Sequence, residues 1–220
     1  MKHIIIVIFL FLACAAHICH AQTDTAKHKV FSYSVRAGLN ISNRLGIDDY
    51  HNPEFSWKRS FNVGVTCDFR KSKNFLGRTG IYYTEKGFNF EEPCPYTTLN
   101  YLEMPLLAVF QQPIGRLVKL EMQTGLFFAY GVGGYLKMWD DYRDVNDDGS
   151  WGEWKAKYFY YPVFKAPDEW HKEYKRFDAG INFGLGVNVW RCYVGCSYDL
   201  SLTYDKGGNH CGMVNLGYTF

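Results

Sequence analysis

The chain has 220 residues, with 24 basic and 22 acidic residues and a formal net charge of +2. This near-neutral charge, together with the lack of a basic block, argues against nucleic acid as a partner. The length fits a single domain. Beyond the N-terminal region, no stretch reaches the roughly 18 apolar residues that a transmembrane helix requires.

The N-terminus has the features of a secretory signal peptide. Lys2 gives a positive start, residues 4–16 form an unbroken apolar run, and the small residue Ala21 precedes Gln22. The sequence therefore predicts cleavage after Ala21, with a signal peptide at residues 1–21. The mature domain is expected to span residues 22–220, and export is a second argument against nucleic acid.

Eight segments alternate apolar and polar side chains with a period of two, the pattern of a strand whose faces meet different surroundings. They are residues 33–42, 61–69, 78–88, 101–110, 120–131, 178–189, 192–200 and 214–220. The last segment ends on the aromatic Phe220, as expected of the strand that closes an outer-membrane barrel. Without a spanning helix, only a closed barrel satisfies every backbone group in lipid. The predicted fold is all-β, an eight-stranded antiparallel transmembrane β-barrel.

The links between these segments alternate in length. The short links are residues 70–74, 111–117 and 190–191, and the long links are residues 43–60, 89–100, 132–177 and 201–212. Outer-membrane barrels have short periplasmic turns and longer extracellular loops. We therefore expect short periplasmic turns on one rim and one especially long outer loop, residues 132–177, on the other.

The polar face of the eight segments indicates a narrow, filled lumen. It is rich in Gly, Asn and Ser, which suit eight strands whose interior barely holds side chains. A soluble lipocalin-like barrel would instead present mainly Lys and Glu to water. The expected lumen charges nearly balance: Arg36, Arg78, Lys86 and Lys119 against Asp68, Glu103, Glu121, Asp178 and Asp199. Such a set predicts a lumen plugged by ion pairs.

Five cysteines remain after removal of the signal peptide: Cys67, Cys94, Cys192, Cys196 and Cys211. Cys192 and Cys196 lie four residues apart on one strand, about 13 Å, which is too far for a disulfide. The odd number argues against complete pairing. We expect small apolar side chains on the outer face and Cys94 in a loop, and leave open whether one disulfide forms.

The segment Tyr101-Leu102-Glu103-Met104-Pro105-Leu106 resembles the small outer-membrane barrels of Bacteroidetes-type bacteria, the PorT-like family. The run Ala37-Gly38-Leu39-Asn40, residues 180–189 and the terminal Tyr218-Thr219-Phe220 are similar to the same family. The resemblance implies an integral protein of the cell outer membrane and, for some members, a part in a secretion apparatus. Pro105 has no backbone N–H to donate to a neighbouring strand, so we expect a β-bulge there.

A candidate calcium site lies in the longest loop. Asp144, Asn146 and Asp148 occupy the first, third and fifth positions of a D-x-N-x-D-G run, which offers the oxygen ligands that calcium prefers. The twelfth position is Lys155, where a bidentate Glu belongs. The favoured interpretation is a solvated acidic hairpin tip, with calcium as the alternative and no other cofactor expected.

The same loop is rich in aromatic residues. They are Trp139, Tyr142, Trp151, Trp154, Tyr158, Phe159, Tyr160, Tyr161, Phe164, Trp170 and Tyr174. Most are expected to form the aromatic girdle and strand extensions above the membrane. Exposed aromatics also offer flat faces to sugars or proteins. We therefore expect outer-membrane lipid as one partner, and a secretion-apparatus or surface partner through residues 132–177.

An enzymatic alternative rests on Ser201, Asp205 and His210, which fall within one outer-rim segment, and on His51 in another outer loop. Polar residues are common in loops, and a triad is defined by geometry. We therefore expect no catalytic residue and a protein of structural or interaction type, linked to secretion or surface binding. Two alternatives stay open: an outer-rim enzyme acting on lipid or peptide, and a barrel for transport or small-ligand binding.

Overall fold

The computed structural model describes residues 30–44, 55–90, 96–145, 151–165, 175–203 and 208–220. Within these ranges the chain forms nine β-strands. They are β1 (Phe31–Arg44), β2 (Phe55–Arg70), β3 (Phe75–Phe90), β4 (Tyr96–Pro113), β5 (Val118–Val145), β6 (Trp151–Pro162), β7 (Phe177–Val189), β8 (Cys192–Ser201) and β9 (Asn209–Thr219). Across the described ranges, no helix is long and apolar enough to cross a membrane.

Eight of the strands, all except β6, form a closed antiparallel barrel. Each pairs with its neighbour along the chain, β5 pairs directly with β7, and β4 pairs with β5. The barrel closes where β1 pairs with β9, from Ser34 opposite Thr219 to Arg44 opposite Asn209. Closure leaves no unpaired edge within the wall, as the bilayer requires. The predicted eight-stranded barrel is confirmed.

The two faces of the wall have opposite polarity. Leu39 is 71% exposed on the outside, whereas its neighbour Asn40 is 1% exposed in the lumen. The same alternation places Leu216 outside and Asn215 inside. A hydrocarbon solvent outside and a narrow polar interior explain this pattern, since each strand alternates its side chains between the two.

An apolar band about as tall as the hydrocarbon core of a bilayer surrounds the barrel. Outward apolar side chains run from Tyr33 to Ile41 on β1 and from Leu120 to Tyr130 on β5. About nine residues on strands tilted by about 40° cover roughly 23 Å, close to the height of a bilayer core. Exposed aromatic residues border both edges: Phe75, Trp190 and Phe220 on one rim, Phe61, Tyr130 and Phe177 on the other.

The short links form one rim, here called the turn rim, and the longer links form the outer rim. The turns at residues 71–74, 114–117 and 190–191 confirm the predicted short links. Their tightness is clearest at Trp190, a non-glycine residue with φ of 56°.

The predicted long outer loop is largely a β-hairpin. β5 continues past the band to Val145, and β6 pairs with it from Tyr135 opposite Pro162 to Val145 opposite Trp151. β6 has no other strand partner within the described part of the chain and ends the sheet order. We call β6 and the part of β5 beyond Val132 the outer extension. Tyr135 and Lys137 share one face of β5 there and Leu136 takes the other, although the two faces no longer separate apolar from polar residues.

The expected bulge at Pro105 is wrong. Thr79 pairs with Leu106 and Tyr82 pairs with Glu103, so the β3–β4 register is the same on both sides of the proline. The wall accommodates the missing N–H by interrupting the pairing there rather than by inserting a residue. Between β4 and β5 the register shifts elsewhere, between Asn100 and Tyr101.

The described cysteines are all free thiols. Cys192 and Cys196 are exposed on the outer face and Cys67 is partly exposed, as expected, whereas Cys211 is completely buried and corrects that prediction. A thiol is small and weakly polar, so it fits either face of the wall. Cys94 and the proposed signal peptide lie outside the described residues.

A closed barrel stays folded in the detergent of a denaturing gel until the sample is boiled. We expect protein refolded in detergent to migrate faster on a denaturing gel without boiling than after boiling, since the unboiled barrel stays compact. The measurement is a pair of lanes from one preparation, with a urea-unfolded sample as the control. Equal migration of the boiled and unboiled samples would count against a stable closed wall.

Candidate functional site

The lumen near the turn rim is organised around Arg78 on β3. Its Nε and Nη2 donate hydrogen bonds of 2.7 and 2.8 Å to the two carboxylate oxygens of Asp68, its direct partner on β2. It also donates to Glu121 on β5, with Nη2 3.1 Å from Oε2. The guanidinium thus bridges two buried carboxylates on different strands, which is the bidentate geometry that makes arginine pairs strong.

Glu121 joins this group to the rest of the wall. It accepts hydrogen bonds of 2.9 Å from Gln111 and from Asn188, and Arg36 lies 3.5 Å away. The guanidinium of Arg36 stacks over the ring of Tyr193 at 3.8 Å. Together with Arg78 on β3, Glu121 on β5 therefore has partners on β4, β7 and β1, so five strands meet at one buried carboxylate.

Glycines make room for the Tyr193 ring inside the narrow lumen. Gly186 and Gly195 are direct partners on β7 and β8. A Cβ atom at either position would overlap the ring of Tyr193. The glycine-rich run in β7 therefore has a packing reason, because a large inward side chain occupies the space that its neighbours leave.

A second group of charges lies closer to the outer rim. The ammonium of Lys86 is 2.8 Å from Glu103 and 2.9 Å from Asp199, and lies 4.4 Å from the centre of the Phe127 ring. Asn182 donates a hydrogen bond of 2.7 Å to Asp199. All three charged groups are buried, so each is neutralised by a partner rather than by water.

The outer mouth of the lumen is covered by an apolar cap. Its buried residues are Leu99, Tyr101, Phe127, Ala129, Val163 and Phe164. Phe164, in the turn after β6, packs edge to face on Tyr101 at 5.9 Å. Arg176 holds this turn with hydrogen bonds of 3.1 Å to the carbonyl oxygens of Gly131 and Phe164. This cap was not predicted from the sequence.

The space left within the lumen is small. A cavity of 30 Å³ lies between the two charged groups, with Arg36, Tyr82, Glu103 and Asn182 among its lining. A single water needs about 10–15 Å³. The cavity therefore has room for about two waters, and the side chains of the described lumen form a plug.

The outer extension carries a polar aromatic cluster on its outward side. Leu136 packs against the cap inside, so its neighbours Tyr135 and Lys137 face outward. Tyr96 on β4 and Tyr160 on β6 pair directly with Lys137 and share its face. With Tyr158, these residues form what we call the tyrosine–lysine cluster: Tyr96, Tyr135, Lys137, Tyr158 and Tyr160.

The rings of this cluster surround one ammonium group. The Nζ of Lys137 lies 3.8 Å from the centre of the Tyr158 ring, 5.3 Å from that of Tyr96 and 6.0 Å from that of Tyr160. The Tyr135 ring is 5.5 Å from Tyr160 and 5.9 Å from Tyr96. A hydrogen bond with Tyr135, aided by burial, raises the pKa of Tyr96 to about 12.

A lysine that borders the cluster is already neutralised. Lys58 on β2 lies 3.2 Å from Glu85 and donates a hydrogen bond to Thr98, the direct partner of Tyr135. Its Nζ is 5.5 Å from the centre of the Tyr96 ring. The tyrosine–lysine cluster therefore borders a closed ion pair, whereas no ion pair joins Lys137 to any residue whose side chain the structure describes.

The structure places eight of the nine predicted lumen charges inside the barrel. Arg36, Arg78, Lys86, Asp68, Glu103, Glu121, Asp178 and Asp199 are all buried. Lys119 is the exception: it is partly exposed at the turn rim, where β5 begins. A long side chain at the end of a strand reaches water without entering the lumen.

The candidate calcium ligands are placed only in part. Asp144 belongs to the outer end of β5, and Asn146 and Asp148 lie outside the described residues. Elsewhere in the described ranges, no group of three or more His, Cys, Asp or Glu side chains could hold a metal ion.

Of the residues behind the enzymatic alternative, the structure describes Ser201 and His210, and these two lie on opposite sides of the wall. Ser201 donates a hydrogen bond to Asp178 inside the lumen. His210 is the direct partner of Leu200 and bonds to the hydroxyl of Tyr198 at 2.9 Å, so it lies on the other side of the wall. Asp205 and His51 lie outside the described residues.

Residues 20–204 match the family model described as an outer membrane protein beta-barrel domain. The chain belongs to this family of outer-membrane β-barrels. The match covers most of the chain. Because the family consists of outer-membrane barrels, the protein is located in the outer membrane. A comparison with curated proteins gave no match.

Solved structures of outer-membrane barrels resemble this family member in fold. Ail, the attachment invasion locus protein of Yersinia pestis, is 16% identical, with 86% of this chain and 98% of that chain covered and a TM-score of 0.43. OprG from Pseudomonas aeruginosa is 10% identical, with 90% and 99% covered and a TM-score of 0.47. Neisserial surface protein A is 12% identical, with 85% and 95% covered and a TM-score of 0.45.

The Arg78 network gives a direct test of the plugged lumen. Arg78→Met should lower the free energy of unfolding by about 3–5 kcal/mol, because it leaves Asp68 buried without its cation and Glu121 with Arg36 alone. Lys119→Met removes the same charge at the exposed rim and should change stability by about 0.5 kcal/mol or less. Urea unfolding in lipid vesicles measures both, and equal losses in the two variants would contradict the network.

Proposed function

We propose that this protein is a non-enzymatic outer-membrane barrel that serves as an interaction protein at the cell surface. The main support is the contrast between two parts of the protein. The lumen is closed by paired charges and a cap, whereas the outer extension has an exposed aromatic face. The barrel anchors the protein in the membrane and orients it, and the outer extension contacts the partner. Export would follow cleavage of a signal peptide after Ala21.

The filled lumen supports this role over transport. A pore needs a continuous path, but Arg78, Glu121 and Lys86 with their partners cross the interior at two levels. Above them, Phe164 and Tyr101 cover the mouth. A path would require breaking buried ion pairs, each costing several kcal/mol when one partner is removed.

An enzyme at the outer rim has less support. Ser201 is already bonded to Asp178 and points into the lumen, whereas His210 bonds to Tyr198 on the other side of the wall. A nucleophile and its base must lie within hydrogen-bond reach. We therefore propose that the protein has no catalytic residue.

The partner class follows from the sequence resemblance and from the extension. Residues 101–106 resemble the PorT-like barrels, for some of which the family implies a part in secretion. The extension adds exposed side chains such as Tyr158 and Tyr160, 46% and 59% exposed. Exposed aromatic patches of this kind mark interaction sites. We propose a secretion-apparatus or surface component as the partner, bound through the extension.

The test is a shortened hairpin. Replacing residues 139–158 by Asn-Gly leaves Met138 opposite Phe159 across a two-residue turn, which suits a β-hairpin. The barrel should fold as before because no residue of its wall is removed. Some proteins should co-purify with the full-length chain from native membranes. Their amount, measured by quantitative mass spectrometry, should be at least several-fold lower with the shortened chain.

Trp190→Ser, on the opposite rim, is the matched control and should retain the co-purifying proteins. Gel migration without boiling checks that both variants are folded. If the shortened and full-length proteins retain the same partners in the same amounts, the extension is not the interacting part and the proposed role is wrong.

A further inference from the structure

The tyrosine–lysine cluster lies directly above the lipid that surrounds the barrel. Val132, 44% exposed, continues the outward apolar face of β5 beyond Tyr130. Lys137 lies five residues further along the same strand, or about 13 Å higher at the usual rise and tilt. The headgroup layer extends about 5–8 Å beyond the hydrocarbon on each side. The cluster therefore faces sideways from the upper edge of the headgroup layer, near Tyr135, to about 5–8 Å above that layer at Lys137.

The cluster differs from a simple aromatic girdle because it combines aromatic rings with hydroxyl groups and a cation. The girdle of the outer rim is already formed by Phe61, Tyr130 and Phe177 at the edge of the apolar band. The cluster is a second tier of four tyrosines, and they combine flat ring faces with hydroxyl groups. Tyrosines at this height meet a polar, hydrogen-bonding neighbour rather than hydrocarbon.

The charge of the cluster selects for an anion. Lys58 is satisfied by Glu85, but the ammonium of Lys137 has only aromatic rings around it within the described residues. Cation–π contacts attract the ammonium without neutralising it. Its positive charge thus remains available to a negatively charged group that approaches from the membrane side.

We propose that the tyrosine–lysine cluster binds the acidic sugar headgroup of an outer-leaflet lipid beside the barrel. Lys137 pairs with a phosphate or carboxylate on the sugar, and the exposed rings of Tyr158 and Tyr160 contact the sugar faces. This inference rests on the proposed role of the outer extension as the interacting part, and it names a ligand class for its outward side.

A lipid-borne ligand fits better than a protein on this side of the extension. The face is continuous with the lipid-facing surface of β5, through Tyr130 and Val132. A protein hot spot is centred on a desolvated apolar pocket. Here the surface is a flat sheet face with one central cation and hydroxyl-bearing rings. Flat amphipathic rings around a charge match a sugar that carries an acid.

The test compares two lysines of the outer extension. Lys137→Gln removes the cation of the cluster, and Lys157→Gln removes an equal charge from β6 on the opposite face, where Lys157 lies near Phe159. Each protein is placed in nanodiscs of phosphatidylcholine alone, with phosphatidylglycerol, or with a lipopolysaccharide whose core sugars are phosphorylated. Lipid retained after transfer to detergent is counted by native mass spectrometry.

The wild-type protein should retain the lipopolysaccharide several-fold more than either phospholipid. Lys137→Gln should remove at least half of that excess, and Lys157→Gln should leave it unchanged. Equal retention by wild type and Lys137→Gln, an equal loss in Lys157→Gln, or equal retention of phosphatidylglycerol would each overturn the inference. If Lys137→Gln has no effect but the shortened hairpin still loses its protein partners, the inference fails and the proposed function stands.

Discussion

The structure depends on one constraint: a wall one chain thick separates hydrocarbon from a narrow polar interior, and every strand must serve both. Because side chains alternate along a strand, each apolar residue facing lipid fixes a polar neighbour facing the lumen. Leu39 beside Asn40 and Leu216 beside Asn215 show this at the closing seam of β1 and β9. Closure then satisfies the backbone without water, which no open sheet could do in a bilayer.

The same constraint dictates what fills the barrel. Eight strands enclose too little space for a water-filled channel, so buried polar groups must find partners among themselves. Arg78 and Lys86 serve as two cationic centres, each between carboxylates from different strands. The cap on Phe164 then excludes water from above. The outer extension is the largest departure of the described structure from a plain barrel.

Much of the wall could be predicted from sequence, because the period of two reports the two solvents directly. The inward placement of Glu103, Glu121 and Asp199 follows from that pattern. β6 and the outer part of β5 escaped detection because the alternation there no longer separates apolar from polar residues. The cap and the tyrosine–lysine cluster escaped for another reason: each joins residues far apart in sequence, and a one-residue register shift, as between Asn100 and Tyr101, changes which of them meet. Cys211 shows the limit for small side chains, which suit either face.

The central claim is the orientation of the wall, and a nitroxide scan along β9 tests it most directly. Single cysteines at Met213, Val214, Asn215 and Leu216, in a chain otherwise free of cysteine, are spin-labelled and the protein is refolded into vesicles. Collision with oxygen dissolved in the hydrocarbon should be high at Val214 and Leu216 and low at Met213 and Asn215. The reverse order, or equal accessibility at all four positions, would contradict a barrel with lipid outside and a packed polar lumen.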